Sequence, residues 1–446
     1  MAKALSDLTR DWGSPDAVSL YLDRCQVDTP LSLVGRVWSC VSSKREKVGT
    51  VLDLGAGDAR FAWGAAYEHY TGIEIDPRRG PRAPLPPNAD LLHECAFGLS
   101  TDPADVCLGN PPYVRNQGLP SGWRERAARL IRDRLGVEVS GLANAWQYFA
   151  FWALANTKPD GLVALVIPYE WVSRPSAAAL REYVTTNHWG VECYRLLDRT
   201  FDHVLTTCSI TVIDKRDTTG QWRFFRESPS GALRSMKTPS GRLATVAYQS
   251  SRRGSQSHGR AKRGLSPGTQ RWLVLTEPAR ARFGLRIGAD VVPCITSLRS
   301  LPAETASLTE SRFSTLYRNR GAKCWLIRTD RTPSPALQGY LDRVPQKDRD
   351  NSTCNAREPW WQFEMPAIPE LIVASGFLGS APKAVVNEAG VVIVGAVTGV
   401  YGLSWSEAGR VGRALRRLDL RSRIVEHSNG LRKLEVGQLQ ALLDKI

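Results

Sequence analysis

The sequence predicts an α/β fold, an open and mostly parallel sheet, joined to a second, basic domain of mixed α and β content. Three observations predict it. Strand-like and helix-like runs alternate through the first half, and the run at 162–167 is apolar throughout, as in a sheet covered on both faces. A glycine-rich turn follows the first strand, and an acid ends the next one about 20 residues later, the spacing of a nucleotide-binding βαβ unit. Charge then divides the chain: residues 1–225 hold 25 Lys+Arg against 26 Asp+Glu, while residues 226–446 hold 34 against 18. Solubility alone does not need such an imbalance, which marks the second half for a polyanion.

Each element follows in order. Residues 50–54 form a short apolar strand entering the glycine turn, and 61–67 read as the start of a helix. A second strand at 70–75 ends in charge, and a third covers 106–108. Residues 144–156 place Trp146, Phe149, Ala150, Ala153 and Leu154 at helical spacing, with Asn144 positioned to cap them. The Lys-Pro-Asp-Gly turn at 158–161 stops that helix before the apolar strand. A helix at 178–184 and strands at 191–196 and 209–213 complete the pattern. At 446 residues the chain exceeds one usual core, so two domains are expected: 1–225, a basic Ser/Gly/Arg-rich linker at 226–268, and 269–446. The last part is irregular, without an internal repeat.

Several function classes are disfavoured. None of the nine cysteines forms a CxxC pair, and the six histidines are dispersed, so no zinc site and no metal are expected. Residues 1–10 contain Lys3, Asp7 and Arg10 and lack a signal-peptide core, and the apolar stretch 390–400 is too short to span a bilayer. The expected location is therefore the cytoplasm, with free thiols and no membrane partner.

Two segments carry chemistry. In Asp53-Leu54-Gly55-Ala56-Gly57-Asp58-Ala59, glycine permits a tight turn and lets a cofactor approach backbone N–H groups. Asp53 and Asp58 disfavour a pyrophosphate there and suit a cofactor with positive charge, although a plain βα turn has the same letters. Glu74, before Ile75, is placed to accept hydrogen bonds from both hydroxyls of an adenosine ribose. Farther on, Gly109-Asn110-Pro111-Pro112-Tyr113 follows a strand, and its two prolines stiffen the backbone. The Asn110 side-chain oxygen and the Pro111 carbonyl then offer two fixed acceptors beside the flat ring of Tyr113, a match for an aryl amine. A rigid loop with a structural tyrosine is the alternative.

This order of segments resembles the amino-group DNA methyltransferases, in particular the adenine-N6 enzymes of the gamma arrangement found in restriction–modification systems. The resemblance covers roughly residues 20–215 and implies a Rossmann-like methyltransferase fold, S-adenosylmethionine as cofactor and a target-recognition domain after the catalytic one. Thr29 and Pro30, with 31–41, are similar to the family's motif beside the methionine part of the cofactor. Asp53, Gly55 and Gly57 match its glycine loop, Glu74 with Ile75 its ribose site, and Glu94 with Cys95 its adenine contacts. Asn110, Pro111, Pro112 and Tyr113 match its catalytic motif in full, with Asn110 also beside the cofactor. Asn144, Ala145, Trp146 and Phe149 resemble a helix-opening motif, and Phe201 falls where a second aromatic lies against the target base. Ala59 departs from the family in place of a glycine, and Glu94 in place of the common Asp.

The implied reaction is methyl transfer to the N6 amine of an adenine flipped out of duplex DNA, held between Tyr113 and Phe201. The linker cations Arg252, Arg253, Arg260, Lys262 and Arg263 are expected on DNA, with Arg432 and Lys433 of a closing motif at 429–435. Trp360, Trp361 and Phe363 suit either DNA bases or a core. A separately encoded restriction endonuclease is a conceivable partner under this resemblance. The rivals are N4-cytosine or RNA methylation, a protein-glutamine methyltransferase, and a non-catalytic DNA-binding subunit. The basic second half disfavours the glutamine enzyme, and intact Asn110 and Tyr113 disfavour the last.

Overall fold

The computed structural model describes residues 27–98, 102–197, 200–201, 206–236, 259–421, 423–428 and 430–446. The chain divides into two compact units, Met1–Thr238 with His427–Asn429, and Pro239–Glu426 with Gly430–Ile446.

The first unit is built on one sheet of nine strands. They are β1 (Thr50–Leu54), β2 (His69–Glu74), β3 (Ala89–His93), β4 (Ala104–Gly109), β5 (Thr157–Pro168), β6 (Gly190–Arg195), β7 (Cys208–Asp214), β8 (Trp222–Glu227) and β9 (Leu233–Met236), in the spatial order 3-2-1-4-5-7-6-8-9. Strands β1 to β5 run parallel, β7 is antiparallel to both β5 and β6, and β8 is parallel to β6. Val51 pairs with Tyr70 on one side and Val106 on the other, so β1 and β4 sit where the strand order reverses. That is where open α/β sheets form their ligand crevice.

Among the described residues, the helices of this unit are α1 (Leu31–Ser42), α2 (Ser121–Leu135), α3 (Ala145–Ala155) and α4 (Ala178–Thr186). Helix α1 begins after Pro30, whose carbonyl accepts from the amides of Leu33 and Val34, and it buries Leu33, Val34, Val37, Trp38 and Val41 at helical spacing. Helix α2 stops at Gly136, which takes a left-handed conformation at φ 68°.

The expected α/β sheet is present, with differences that have physical reasons. The helix expected at 61–67 is a single 3-10 turn, Arg60–Trp63. It ends against Gly64, on which the Trp38 indole lies so closely that a Cβ would stand 1.6 Å from the ring. Asn144 does occupy the N-cap of α3, but its side chain accepts from the Asn116 amide, 3.1 Å away, and so ties that helix to the preceding loop. The 158–161 turn is absorbed into β5. Strand β3 carries no apolar pattern in the sequence, because it is an edge strand with little burial. Strands β8 and β9 carry the first unit past the expected boundary at 225, and the structural division falls between Thr238 and Pro239.

In the second unit, strands Arg260–Arg263 (β10), Val397–Tyr401, Leu371–Ala374 and Ala384–Val386 form one antiparallel sheet. A second sheet orders Val274–Thr276, Lys323–Ile327, Val291–Ile295 and Val392–Ile393. The expected linker is therefore strand at both its ends, and residues 237–258 between them, with Arg252 and Arg253, lie outside the described residues. Phe363 is buried, and the half-buried Trp360 and Trp361 pack against the same core.

Candidate functional site

The chain segments that leave the carboxyl ends of β1 to β4 meet around an open cleft. The glycine turn leaves β1, Glu74 closes β2, Glu94 and Cys95 follow β3, and Asn110 follows β4. Thr29, Gly55, Gly57, Ile75 and Pro112 line the same cleft. Of the expected cofactor residues, Pro30 and Asp53 do not line it.

The turn works differently from the expectation. Its amides are already engaged: Gly55 and Ala56 both donate to the Ile73 carbonyl at 2.8 Å, and Gly57 donates to Glu74 Oε2 at 2.9 Å. What the glycines supply is conformation and bare surface, with φ of 84° at Gly55 and 62° at Gly57. Ala59 also stands left-handed at φ 56°, a conformation in which glycine carries no Cβ penalty. The other Glu74 oxygen accepts from the Asp76 amide at 2.9 Å, so this buried carboxylate is fixed in place and keeps lone pairs for a ligand.

Asp53 is a correction to the expected cofactor set. It is fully buried and accepts the Tyr70 hydroxyl at 2.8 Å, while its Oδ1 has no hydrogen-bond partner among the described residues. Burial raises its pKa to about 7 against the opposing hydrogen bond from Tyr70. Asp58 faces the cleft but is not a free negative charge. Burial opposes its ionisation, yet the Arg60 guanidinium at 2.6 Å, with Arg82 and Arg79, holds its pKa below the ordinary carboxylate value. Even so, the lining contains the carboxylates of Asp28, Asp58, Glu74 and Glu94 against the guanidiniums of Arg60 and Arg79. That balance favours a cationic ligand over a pyrophosphate.

The Asn-Pro-Pro-Tyr loop leaves β4 at Gly109, whose φ is 141°. A Cβ there would stand 2.2 Å from Asp53 Oδ1, so the buried acid of β1 lies directly under the start of the loop. Asn110 Nδ2 donates to Thr29 Oγ1 at 3.1 Å, while Asn110 Oδ1 is buried without a hydrogen-bond partner among the described residues. An orphaned buried acceptor beside a cleft is the kind of group that a ligand donor satisfies. Pro111 is buried, and Tyr113 is half-buried with its hydroxyl donating to the Val166 carbonyl of β5 at 2.8 Å. Burial holds the Tyr113 phenol well above its ordinary pKa.

Neither Tyr113 nor Phe201 lines the cleft: Phe201 is buried in the core with Leu196, Cys208 and Ile210, Tyr113 packs against the same cluster, and residues 198–199 and 202–205 on either side of Phe201 lie outside the described residues. Sequence reasoning missed the cleft's aromatic wall, in which Phe97 packs edge-on to Phe149 at 5.2 Å and Trp123 at 5.4 Å. It also missed the charged rim. Asp28 accepts from Arg79, Arg82 at 2.6 Å and Arg60 at 2.9 Å, and Arg60 also donates to the Thr29 carbonyl. Isolated arginines and aromatics carry no spacing signal. Trp146, read as part of the helix-opening motif, is buried in the core. The Cys95 thiol is pushed up to about 12 by burial.

In the second unit, Arg260, Lys262 and Arg263 are exposed on β10, with Lys262 over the Tyr401 ring at 5.6 Å. Arg432 is a correction. It is buried, and its guanidinium binds Glu426 at 2.5 Å and the carbonyls of Gly379 and Gly430 at 3.3 and 3.5 Å. A group so engaged holds two turns together and is not available to a phosphate. Lys433 is half-buried and pairs with Glu435 at 3.4 Å.

Residues 53–196, the segment that builds the cleft, match the Eco57I restriction-modification methylase family. The type II methyltransferase M.BanIII of Aneurinibacillus aneurinilyticus is 24% identical over 97 residues, which are 22% of this chain and 16% of that relative. The chain thus matches about a sixth of that relative's length. Among solved structures, the type I restriction-modification methyltransferase subunit of Streptococcus thermophilus is similar at 15% identity and a TM-score of 0.38, covering 52% of this chain and 55% of its own. The type IIG restriction endonuclease BpuSI is similar at 14% identity and a TM-score of 0.40, covering 93% of this chain and 58% of its own. The matched segment sits in a sheet of order 3-2-1-4-5-7-6 with β7 reversed, an open and mostly parallel α/β arrangement.

Proposed function

We propose that this protein transfers a methyl group from S-adenosylmethionine to the exocyclic N6 amine of an adenine flipped out of duplex DNA. The observation that carries the reading is Asn110 Oδ1, buried without a hydrogen-bond partner among the described residues, on a proline-stiffened loop beside the cleft. The cofactor is S-adenosylmethionine, which supplies a methyl group on a sulfonium and suits a lining richer in carboxylates than in guanidiniums. Glu74, locked by the amides of Gly57 and Asp76, accepts the ribose hydroxyls. Glu94, Cys95 and the Phe97–Phe149 wall take the adenine end. Gly55 and Gly57 leave room for the ligand beside the loop, and Thr29 orients Asn110 through its 3.1 Å hydrogen bond.

Asn110 Oδ1 and the Pro111 carbonyl accept the two N6 hydrogens of the target. Holding both hydrogens turns the amine lone pair out of conjugation with the ring, and acceptors fixed in advance stabilise charge that develops on nitrogen. No residue becomes covalently modified. Tyr113, anchored at Val166, offers its ring face to the base. The excess of cations in residues 226–446, with Arg260, Lys262 and Arg263 exposed on β10, supports duplex DNA as the substrate. A restriction endonuclease encoded separately is the partner this reading allows.

The test is nucleoside mass spectrometry of duplex DNA incubated with the full chain and deuterated-methyl S-adenosylmethionine. N6-methyladenine carrying the label is expected. Labelled N4-methylcytosine would correct the base and keep the site chemistry, because that amine presents the same two hydrogens. Label in RNA alone would overturn the DNA reading.

A further inference from the structure

The helix Trp405–Arg417, here α5, is the best-built surface of the second unit that no role above uses. It opens with a capping box in which Ser404 and Glu407 satisfy each other's backbone, and it buries Ala408, Val411, Gly412 and Leu415 on one face. Gly412 is seated hard on the sheet, since a Cβ there would meet Leu371 at 2.9 Å. The helix therefore cannot roll, and its opposite face has a fixed composition.

That face carries Ser406, Arg410, Arg413 and Arg417, all exposed. At about 100° per residue these positions fall within an arc of roughly 60°, and Arg410 and Arg417 lie about 10.5 Å apart along the axis. Among the described residues, none of the three arginines has an ion-pair or hydrogen-bond partner. The acids nearest in sequence are committed elsewhere: Glu407 to the Ser404 cap, and Asp419 to Arg421 at 2.5 Å. Arg416, on the flank, shows the contrast, because its guanidinium is spent on the Ala384 carbonyl at 2.5 Å. Gly409 has open space above it, which keeps the helix slim beside Arg410.

We infer that this face of α5 is a contact surface for duplex DNA, with Arg410, Arg413 and Arg417 as its charged contacts. The inference rests on the DNA reading above and adds the element that touches the polymer. Three guanidiniums without an ion-pair partner among the described residues, set along one rigid stripe, match a row of phosphates, and their run of about 10.5 Å is comparable to the major groove's width of about 12 Å. Arginine also makes the paired hydrogen bonds that read guanine edges.

The experiment uses the full chain with Arg410, Arg413 and Arg417 all replaced by Gln. A control removes the same charge from Arg299, Arg320 and Arg331, which are exposed elsewhere in the unit. Affinity for a duplex oligonucleotide is measured by fluorescence anisotropy from 50 to 300 mM salt. The α5 variant should bind on the order of 100-fold more weakly at 0.1 M salt, and its log–log salt slope should be shallower by about 2.7, near 0.9 for each lost phosphate contact. The control should change both by much less. Equal losses in both variants would reduce α5 to general charge and overturn the inference, as would unchanged binding by the α5 variant. Loss of structured-RNA binding without loss of duplex binding would overturn it as well. Failure of the unsubstituted chain to bind DNA at all would instead sink the DNA reading itself.

Discussion

Replacing Gly109 with Ala should be among the most damaging single-methyl changes in the first unit. Two costs add. The backbone φ of 141° is one that side-chain-bearing residues avoid, a strain of about 1–3 kcal/mol. The new methyl would also arrive 2.2 Å from Asp53 Oδ1, a fully buried atom whose carboxylate is braced by Tyr70, and overpacking of that kind costs about 1–3 kcal/mol. The total, about 2–6 kcal/mol, is a large share of the roughly 5–15 kcal/mol that holds a typical domain together. The two costs can be separated, because Asp53→Ala removes the obstacle and leaves the dihedral untouched. In a double-mutant cycle by urea unfolding, Gly109→Ala should cost about 1–3 kcal/mol less in the Asp53→Ala background than in the wild-type chain. A Gly109→Ala midpoint equal to wild type would refute the strain. An identical loss with and without the Asp53 carboxylate would refute the contact.

Further outcomes follow from the same structure. Burial raises the pKa of Asp53 to about 7, so the folded state holds that proton more tightly than the unfolded chain, where the value is about 3.9. The stability this contributes is complete below about pH 4 and is lost as pH rises through 7, so Asp53→Asn should gain on wild type by about 4 kcal/mol between pH 4 and pH 8 in urea midpoints taken across that range. A constant offset between the two proteins would contradict it. Glu74→Ala should lower S-adenosylmethionine affinity at least ~10-fold by titration calorimetry, and it should also lower the melting temperature, because the amides of Gly57 and Asp76 lose their acceptor. Arg432→Ala should cost about 2–4 kcal/mol in thermal unfolding by removing the buried guanidinium that binds Glu426 and two turn carbonyls, while changing DNA affinity little in the folded protein. A stable variant with weak DNA binding would restore the expected phosphate role of Arg432.

The parts of the site that were legible in the sequence are those written in backbone chemistry. Gly55, Gly57, Glu74 and Asn110 are legible at strand ends because turns demand glycine and because short continuous apolar runs reveal where strands stop. The role of Asp53 was not legible. Its position in the loop suggests a ligand, whereas the β1 pleat turns its carboxylate inward beneath Gly109. The amides of the glycine loop are not free for a cofactor, since the neighbouring strand takes those of Gly55 and Ala56 through the Ile73 carbonyl and that of Gly57 through the Glu74 carboxylate, pairings decided by tertiary register. Arg432 has the composition of a phosphate contact and the surroundings of a buried ion pair, and only the fold separates these. In the second unit, strands of two to five residues leave too little periodicity to read, so its sheets and the α5 stripe came only from the structure.

The central claim is that Asn110 aligns the target amine, and the most direct measurement is single-turnover methyl transfer by Asn110→Ala. The change spares both prolines and leaves the loop its shape, removing one acceptor from the amine and one donor from Thr29. Tritium transfer from S-adenosylmethionine to duplex DNA should fall by at least ~100-fold, while DNA affinity measured in parallel changes less than about threefold, because the acceptor matters mainly on the way to the transition state. Transfer at a near-normal rate by the Asn110→Ala protein would contradict the account.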